Sequence, residues 1–160
     1  MPASESTPER LVIRSAVAGD RPAWSALWDG YNAFYGREGA TALPAEITDR
    51  TWSRFFDGYE PMYAIVAERA GELVGFAHFL LHRSTTQIKP NCYLQDVFTA
   101  QPARGKGVAR ALIEDVYARA TGLGAARVYW QTHETNTTAR YLYDRIAENS
   151  GFLVYRKLLS

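Results

Sequence analysis

Hydrophobic and polar positions along the chain change period several times, and each period predicts a different kind of element. Aromatic residues at steps of four, three and four share one face of a helix predicted over residues 21–36. These residues are Trp24, Trp28, Tyr31 and Tyr35. Further helices are predicted at 44–56, 108–122 and 136–149, and strands at 11–16, 62–69, 73–82, 93–99, 127–132 and 152–159. This order is typical of an α+β (mixed α/β) domain, not of a doubly wound sheet.

Composition narrows the class of protein. The chain has 160 residues, so after a flexible tail over residues 1–10 we expect a single domain over residues 11–160. Its 18 Lys and Arg residues nearly balance 17 Asp and Glu residues, which excludes a protein that binds nucleic acid through bulk charge. The most apolar stretch, residues 73–81, is too short to span a membrane, so we expect no membrane partner and a cytoplasmic location.

Cysteine and histidine offer little for a metal or disulfide site. Cys92 is the sole cysteine, which excludes a disulfide within the chain and indicates a small buried apolar residue. His78 and His82 lie on one side of a predicted strand, but no third ligand accompanies them. We therefore expect no metal.

A glycine-containing turn between the strand at 93–99 and the helix at 108–122 is the sharpest motif. Its core is Arg104-Gly105-Lys106-Gly107, and Arg110 adds a further positive charge. Glycines allow close approach of the backbone, and the helix starts without a capping side chain, so its first N–H groups suit a phosphate. The alternative is an ordinary basic surface loop. The spacing fits neither a P-loop nor a dinucleotide-binding fingerprint, whose third glycine is replaced by Arg110.

The motif Arg104-Gly105-Lys106-Gly107-Val108-Ala109 matches the R/Q-x-x-G-x-G/A signature of the GNAT N-acetyltransferase superfamily, and the chain resembles that family over residues 11–160. Residues 93–98 and 128–136 are most similar to the branch of histone, polyamine and D-amino-acid acetyltransferases. The resemblance implies a three-layer fold, in which about four helices flank a mixed, mostly antiparallel twisted sheet of six to seven strands. It also implies acetyl-CoA as cofactor and transfer of an acetyl group to a primary amine of a small molecule or peptide.

The resemblance also implies roles for particular residues. The pantetheine would pair with main-chain groups of the strand at 93–99, and the pyrophosphate would meet N–H groups of the turn. The implied cofactor-binding residues are Val97, Phe98, Thr99, Arg104, Gly105, Lys106, Gly107, Val108, Ala109 and Asn136. Tyr143 matches the tyrosine that protonates the thiolate of coenzyme A, a transfer that suits a phenol with a pKa of about 10.

Several of these assignments have alternatives. Asn136 precedes a predicted helix, where asparagine is an ordinary N-cap. Tyr141 points to a different helix face from Tyr143 and is expected to pack in the core. Asp96 is a candidate general base or amine-binding acid, but a relayed water without a dedicated base is equally open. A bulge would reverse the direction of the Asp96 side chain, so alternation does not determine its face.

The acceptor side is expected in the early helices. Candidate acceptor residues are Trp28, Tyr31, Tyr35 and Glu134, although an aromatic stripe is also typical of a core. Residues 20–60 hold seven acids and four arginines, a net −3 that favours a cationic amine unless these are merely solvated faces. A non-catalytic acyl-CoA sensor is the alternative function. The apolar residues 152–159 suggest a homodimer or a higher homo-oligomer.

Overall fold

The computed structural model describes residues 9–160, so residues 1–8 of the predicted tail lie outside the described part. Two compact units make up the chain, one extending to Trp130 and the other running from Gln131 to Ser160. Within residues 9–160, no helix is long and apolar enough to cross a membrane.

The first unit contains one mixed sheet and three α-helices. In chain order the elements are β1 (Val12–Ser15), α1 (Arg21–Phe34), α2 (Ala45–Arg54), β2 (Met62–Arg69), β3 (Glu72–His82), β4 (Asn91–Thr99), α3 (Val108–Gly122) and β5 (Arg127–Tyr129). The strands lie in the order β1-β2-β3-β4-β5. The first four pair antiparallel, whereas β5 joins β4 in parallel after α3. The expected mixed, mostly antiparallel sheet is confirmed.

Helices cover both faces of this sheet, and residues 75–78 of β3 alternate between the two faces. Phe76 and His78 point to the face that carries α1, where Phe76 packs in a cluster with Trp24 and Trp28. Gly75 points to the other face, and a Cβ built on it would lie 3.1 Å from the Val108 side chain of α3. The aromatic stripe predicted from its spacing therefore anchors α1 to the sheet.

The second unit contains α4 (Thr137–Ile146), and residues 147–160 form neither helix nor strand. The prediction of a strand at 152–159 is therefore wrong, and the described residues form five strands instead of six or seven. The apolar side chains of this segment are mostly exposed. Strand preference reflects packing on a pleated surface more than the backbone itself, so an apolar run without such a surface remains irregular.

Candidate functional site

The edge of β4 is paired along only part of its length. On one side β4 pairs with β3 from Asn91 to Thr99. On the other side β5 pairs only with Asn91, Cys92 and Tyr93, and it ends at Tyr129. The main chain of residues 94–99, which includes the predicted Val97, Phe98 and Thr99, is thus left without a β5 partner. Such an edge can accept an extended ligand in the manner of an added strand.

The turn that follows β4 has the backbone its glycines predict. Gly105 and Gly107 have φ angles of +75° and +82°, which residues other than glycine rarely adopt. Gly107 is the N-cap of α3 and no side chain caps it, and the first α-helical bond runs from the Ala111 N–H to the Gly107 carbonyl at 3.0 Å. The N–H groups of Val108, Ala109 and Arg110 precede that bond, so they have no acceptor within the helix.

The positive side chains of the turn differ in what they contact. Arg104 folds back over β4, where its Nε donates to the Thr99 carbonyl at 3.1 Å and its guanidinium lies 5.6 Å from the Phe98 ring centre. Arg110 is paired with Glu114 at 2.9 Å, whereas Lys106 is exposed. Arg104 therefore connects the turn to the end of β4. The main-chain groups of residues 94–99 and the uncapped N–H groups at the start of α3 follow one another along the chain.

Asp96 lies at the end of a chain of hydrogen bonds that starts in the core. The Tyr31 hydroxyl donates to Asp96 Oδ1 at 2.5 Å, and His78 Nδ1 lies 2.9 Å from Asp96 Oδ2. On the other side of the imidazole, Trp24 Nε1 donates to His78 Nε2 at 3.0 Å. Three elements, α1, β3 and β4, thus hold one carboxylate in place.

The donors in this chain determine where its protons are. An indole N–H only donates, so His78 Nε2 accepts and the imidazole carries its proton on Nδ1, which donates to Asp96. Burial, reinforced by the negative charge of Asp96, raises the pKa of Tyr31 above its usual range, so this hydroxyl also donates. Asp96 is therefore a carboxylate that accepts two hydrogen bonds, and its side chain is 10% exposed.

A β-bulge decides which way Asp96 faces. His78 is opposite Asp96 and Phe79 is opposite Leu94, so Gln95 is an extra residue in β4. As a result Asp96 faces α1 and Gln95 is exposed. The question that alternation left open is answered by this extra residue.

The aromatic stripe belongs partly to the core and partly to the surface beside Asp96. The rings of Trp28 and Tyr31 stack with centres 5.3 Å apart, and those of Tyr31 and Tyr35 lie 5.0 Å apart. Trp28 is buried, and its indole N–H donates to Thr48 Oγ1 at 3.1 Å. Tyr35 is half exposed. Trp28 and Tyr31 are thus core residues, and Tyr35 lies beside Tyr31 at the surface.

The remaining predicted residues lie in the second unit. Asn136 is the N-cap of α4, and its Oδ1 accepts from the Ala139 N–H at 3.4 Å. Tyr143 is half-buried on α4, and Glu134 is exposed. Tyr141 is 65% exposed and bonded to Arg145, so the expectation that it packs in a core is wrong. The ring stays at the surface, where the Tyr141 hydroxyl accepts a hydrogen bond from the Arg145 guanidinium.

Sequence reasoning missed the roles of His78 and Trp24. The sequence suggests only a metal-binding role for His78 and His82. Residues 9–160 contain no group of three or more His, Cys, Asp or Glu side chains that could hold a metal ion. His78 uses both ring nitrogens in the chain to Asp96, and His82 bonds Tyr129 instead. The signal available in the sequence was a histidine and an aspartate on neighbouring predicted strands, each next to apolar residues.

Comparisons with known proteins show to which family the chain belongs. Residues 24–147 match the model of the acetyltransferase (GNAT) family. The chain is 34% identical to the D-amino-acid N-acetyltransferase HPA3 of Saccharomyces cerevisiae, over 93% of this chain and 91% of the yeast protein. It is 30% identical to the N-acetyltransferase YhfO of Bacillus subtilis, over 89% and 94% of the two chains.

Solved structures share the fold at lower identity. A structure of AAC(6')-Iy in complex with the bisubstrate analogue CoA-S-monomethyl-acetylneamine superposes with a TM-score of 0.79 at 17% identity, covering 94% of this chain and 99% of that one. An integron cassette protein from a salt-marsh metagenome also gives a TM-score of 0.79, at 23% identity over 92% and 90% of the chains. With the family match covering most of its length, the chain is a member of the GNAT acetyltransferase family and therefore an acyltransferase.

Proposed function

We propose that this protein is an acetyl-CoA-dependent N-acetyltransferase whose acceptor is a primary amine of a small molecule or peptide. The observation that carries the proposal is the position of the Asp96 carboxylate on β4. From residue 94 to 99 this strand has no pairing with β5, and the glycine turn that follows it leads into α3, whose start has no side-chain cap. An acetyl transfer needs the amine and the thioester to be held next to each other, and Asp96 lies on the same strand as the edge proposed for coenzyme A.

The surface described above suits coenzyme A chemically. Main-chain groups of Val97, Phe98 and Thr99 would pair with the amides of the pantetheine arm, and N–H groups of residues 105–109 would bind the pyrophosphate, since the Arg104 N–H already donates to the Gln101 carbonyl at 3.2 Å. Two positive φ angles and an uncapped helix start are the features that such a phosphate cradle needs. The neighbour that binds a coenzyme A bisubstrate analogue supports this reading. Asn136 is the weaker candidate, because its side-chain oxygen already caps α4.

The chemistry assigned to the chain's own groups is a direct transfer. Acetyl-CoA supplies the acetyl group as a thioester. Asp96 binds the acceptor ammonium and takes its proton, directly or through one water, because a carboxylate held by two donors retains lone pairs for a third partner. The neutral amine then attacks the carbonyl carbon, and a backbone N–H near Val97 and Phe98 stabilises the oxyanion of the tetrahedral intermediate. When this intermediate collapses, the carbon–sulfur bond breaks, Tyr143 donates its hydroxyl proton to the sulfur, and the second proton of the nitrogen passes through water to the tyrosinate.

Several features favour a small amine as acceptor. The yeast relative is a D-amino-acid acetyltransferase, and structural neighbours are aminoglycoside acetyltransferases. Tyr35, half exposed beside the buried Tyr31, is proposed as one wall of the acceptor site, whereas the acceptor role of Glu134 stays a prediction. We further propose that the protein works as a homodimer in the cytoplasm.

The experiment is a screen of amines with acetyl-CoA in which released thiol is measured for the native chain, Tyr143→Phe and Tyr141→Phe. We expect turnover with small amines, a loss of about 100-fold or more in kcat for Tyr143→Phe, and little change for the exposed Tyr141→Phe control. Coenzyme A affinity, measured by calorimetry, should be retained in both variants. Binding of coenzyme A without thiol release from any amine would contradict the proposal and indicate a sensor. Equal rates for the two variants would remove Tyr143 from the mechanism.

A further inference from the structure

Arg37 is held in a fixed position just after α1. Gly36, with a φ of +77°, turns the chain so that the Arg37 N–H donates to the Asn32 carbonyl at 2.8 Å. Arg37 Nε also donates to Asn32 Oδ1 at 2.7 Å. Asn32 is only 4% exposed and its own Nδ2 donates to the Trp28 carbonyl at 2.8 Å, so the asparagine cannot rotate freely. The guanidinium is therefore oriented from the core through Asn32.

The terminal nitrogens of Arg37 are left for another partner. Within residues 9–160, no carboxylate forms an ion pair with Arg37, although Arg14, Arg21, Arg54, Arg110 and Arg119 all have one. The guanidinium lies 5.8 Å from the ring centre of Tyr31 and 5.3 Å from that of Tyr35. An arginine whose Nε is occupied and whose two NH₂ groups are not is arranged to bind a planar anion.

One tyrosine ring connects this cation to the carboxylate of the site. Arg37 faces the ring of Tyr31, and the hydroxyl of that ring donates to Asp96 Oδ1 at 2.5 Å. The positive and negative groups are therefore separated by one ring and one hydrogen bond. An α-amino acid carries its ammonium and its carboxylate on the same carbon, and a hydrogen bond of about 3 Å at each end extends its reach to roughly 8 to 9 Å.

We propose that Arg37 binds the carboxylate of the acceptor and that the acceptor is therefore a free α-amino acid, with its ammonium on Asp96. The inference rests on the proposed function and adds the substrate class. Tyr35 is half exposed and lies 5.0 Å from the Tyr31 ring, so it is the ring against which the side chain of the amino acid lies. Arg37 acts as a specificity residue: it touches the acceptor but takes no part in the proton transfers.

The test compares a free amino acid with its primary amide, which keeps the amine and the side chain but lacks the negative charge. Both enantiomers of methionine and of methioninamide are suitable probes at saturating acetyl-CoA. We expect the native enzyme to prefer the acid. Arg37→Gln should lower kcat/KM for the acid by about 10- to 100-fold, mainly through KM, and leave the amide within about twofold. Arg37→Lys should recover part of the loss, since it keeps the charge without the fork.

Arg69→Gln, at the end of β2, is the matched control and should change neither substrate. An equal loss for acid and amide in Arg37→Gln would overturn the inference, because it would give Arg37 a purely structural role. A native enzyme that uses the amide as well as the acid would overturn it too, while the acetyltransferase proposal would stand. Weaker coenzyme A binding by Arg37→Gln, measured by calorimetry, would reassign Arg37 to the cofactor phosphates. Failure of every amine would contradict both proposals.

Discussion

At the residue scale, the position of Asp96 is set by groups that are far apart in the chain. Trp24 and Tyr31 come from α1, His78 comes from β3, and each of their polar atoms has one partner in the chain of hydrogen bonds. A buried polar network is stabilising only when every member is satisfied, so this arrangement allows a charged carboxylate next to an aromatic core. The same network leaves lone pairs of Asp96 for an acceptor.

Thr99 is the exception among the buried polar groups of the described residues, because its Oγ1 has no hydrogen-bond partner. Thr99→Val replaces that hydroxyl by a methyl group of similar size. We expect the free energy of unfolding to rise by about 1 kcal/mol, since a buried unsatisfied hydroxyl costs about 1–3 kcal/mol. Urea denaturation followed by circular dichroism measures the change.

Thr48→Val is the matched control for this substitution. The Thr48 hydroxyl accepts from Trp28 Nε1 at 3.1 Å, so its removal leaves an indole N–H without a partner. We expect this variant to unfold at lower urea concentration than the native protein. A destabilised Thr99→Val would show that the Thr99 hydroxyl has a partner in solution.

Sequence reasoning succeeded for residues whose role depends on local backbone and failed for those whose role depends on tertiary partners. The positive φ of Gly105 and Gly107 follows from the turn itself. The direction of Asp96 depends on a bulge opposite β3, which no alternation pattern in β4 reveals. The position of Arg37 depends on its contacts with Asn32 and Tyr31, which no sequence motif indicates.

At the element scale, β3 organises the molecule because it is central in the sheet and is covered on both faces. The two strands that the sequence predicts at 62–69 and 73–82 form a hairpin, and Ala70 and Gly71 in the turn between them have φ angles of +57° and +75°. The segment at residues 152–159 shows the opposite case: its composition favours a strand, but no strand forms there. A turn can be predicted from its own residues, whereas the sheet surface on which a strand packs cannot be predicted from the residues of that strand.

Gly75 on β3 provides a test of how closely α3 packs on the sheet. A Cβ at this position would lie 2.7 Å from the Phe98 carbonyl oxygen and 3.1 Å from the Val108 side chain. We therefore expect Gly75→Ala to lower the free energy of unfolding by about 1–3 kcal/mol, since either β4 or α3 must shift. Urea denaturation and coenzyme A calorimetry on the same samples would show whether the cofactor surface shifts as well.

Gly122→Ala, at the end of α3, is the control for that experiment. No atom lies within 4 Å of the Cβ it would add, and alanine favours a helix by up to about 1 kcal/mol. The control should be neutral or stabilised. If Gly75→Ala were equally stable, the contact between β3 and α3 would have more freedom than these distances indicate.

At the scale of the whole molecule, the distribution of charge is more informative than its total of +1. Three of the seven acids in residues 20–60 are paired with an arginine, namely Asp20, Asp49 and Glu60. Part of the negative charge of this early region is therefore neutralised locally. In the proposed acceptor site, discrimination would depend on Asp96 and Arg37, two oppositely charged groups that both contact Tyr31.

Self-association is the prediction that belongs to the molecule as a whole. The last residues carry apolar side chains that are 79–91% exposed, namely Phe152, Leu153, Tyr155, Leu158 and Leu159. So many exposed apolar side chains within eight consecutive residues favour burial against a second copy. We expect sedimentation velocity to show a species of twice the 17.9 kDa chain mass as the protein concentration rises through the micromolar range.

Tyr155→Ser combined with Leu158→Ser should shift the equilibrium to the monomer without changing the circular dichroism spectrum, because neither side chain packs in a core. A native protein that sediments as a single chain at every concentration would contradict the dimer.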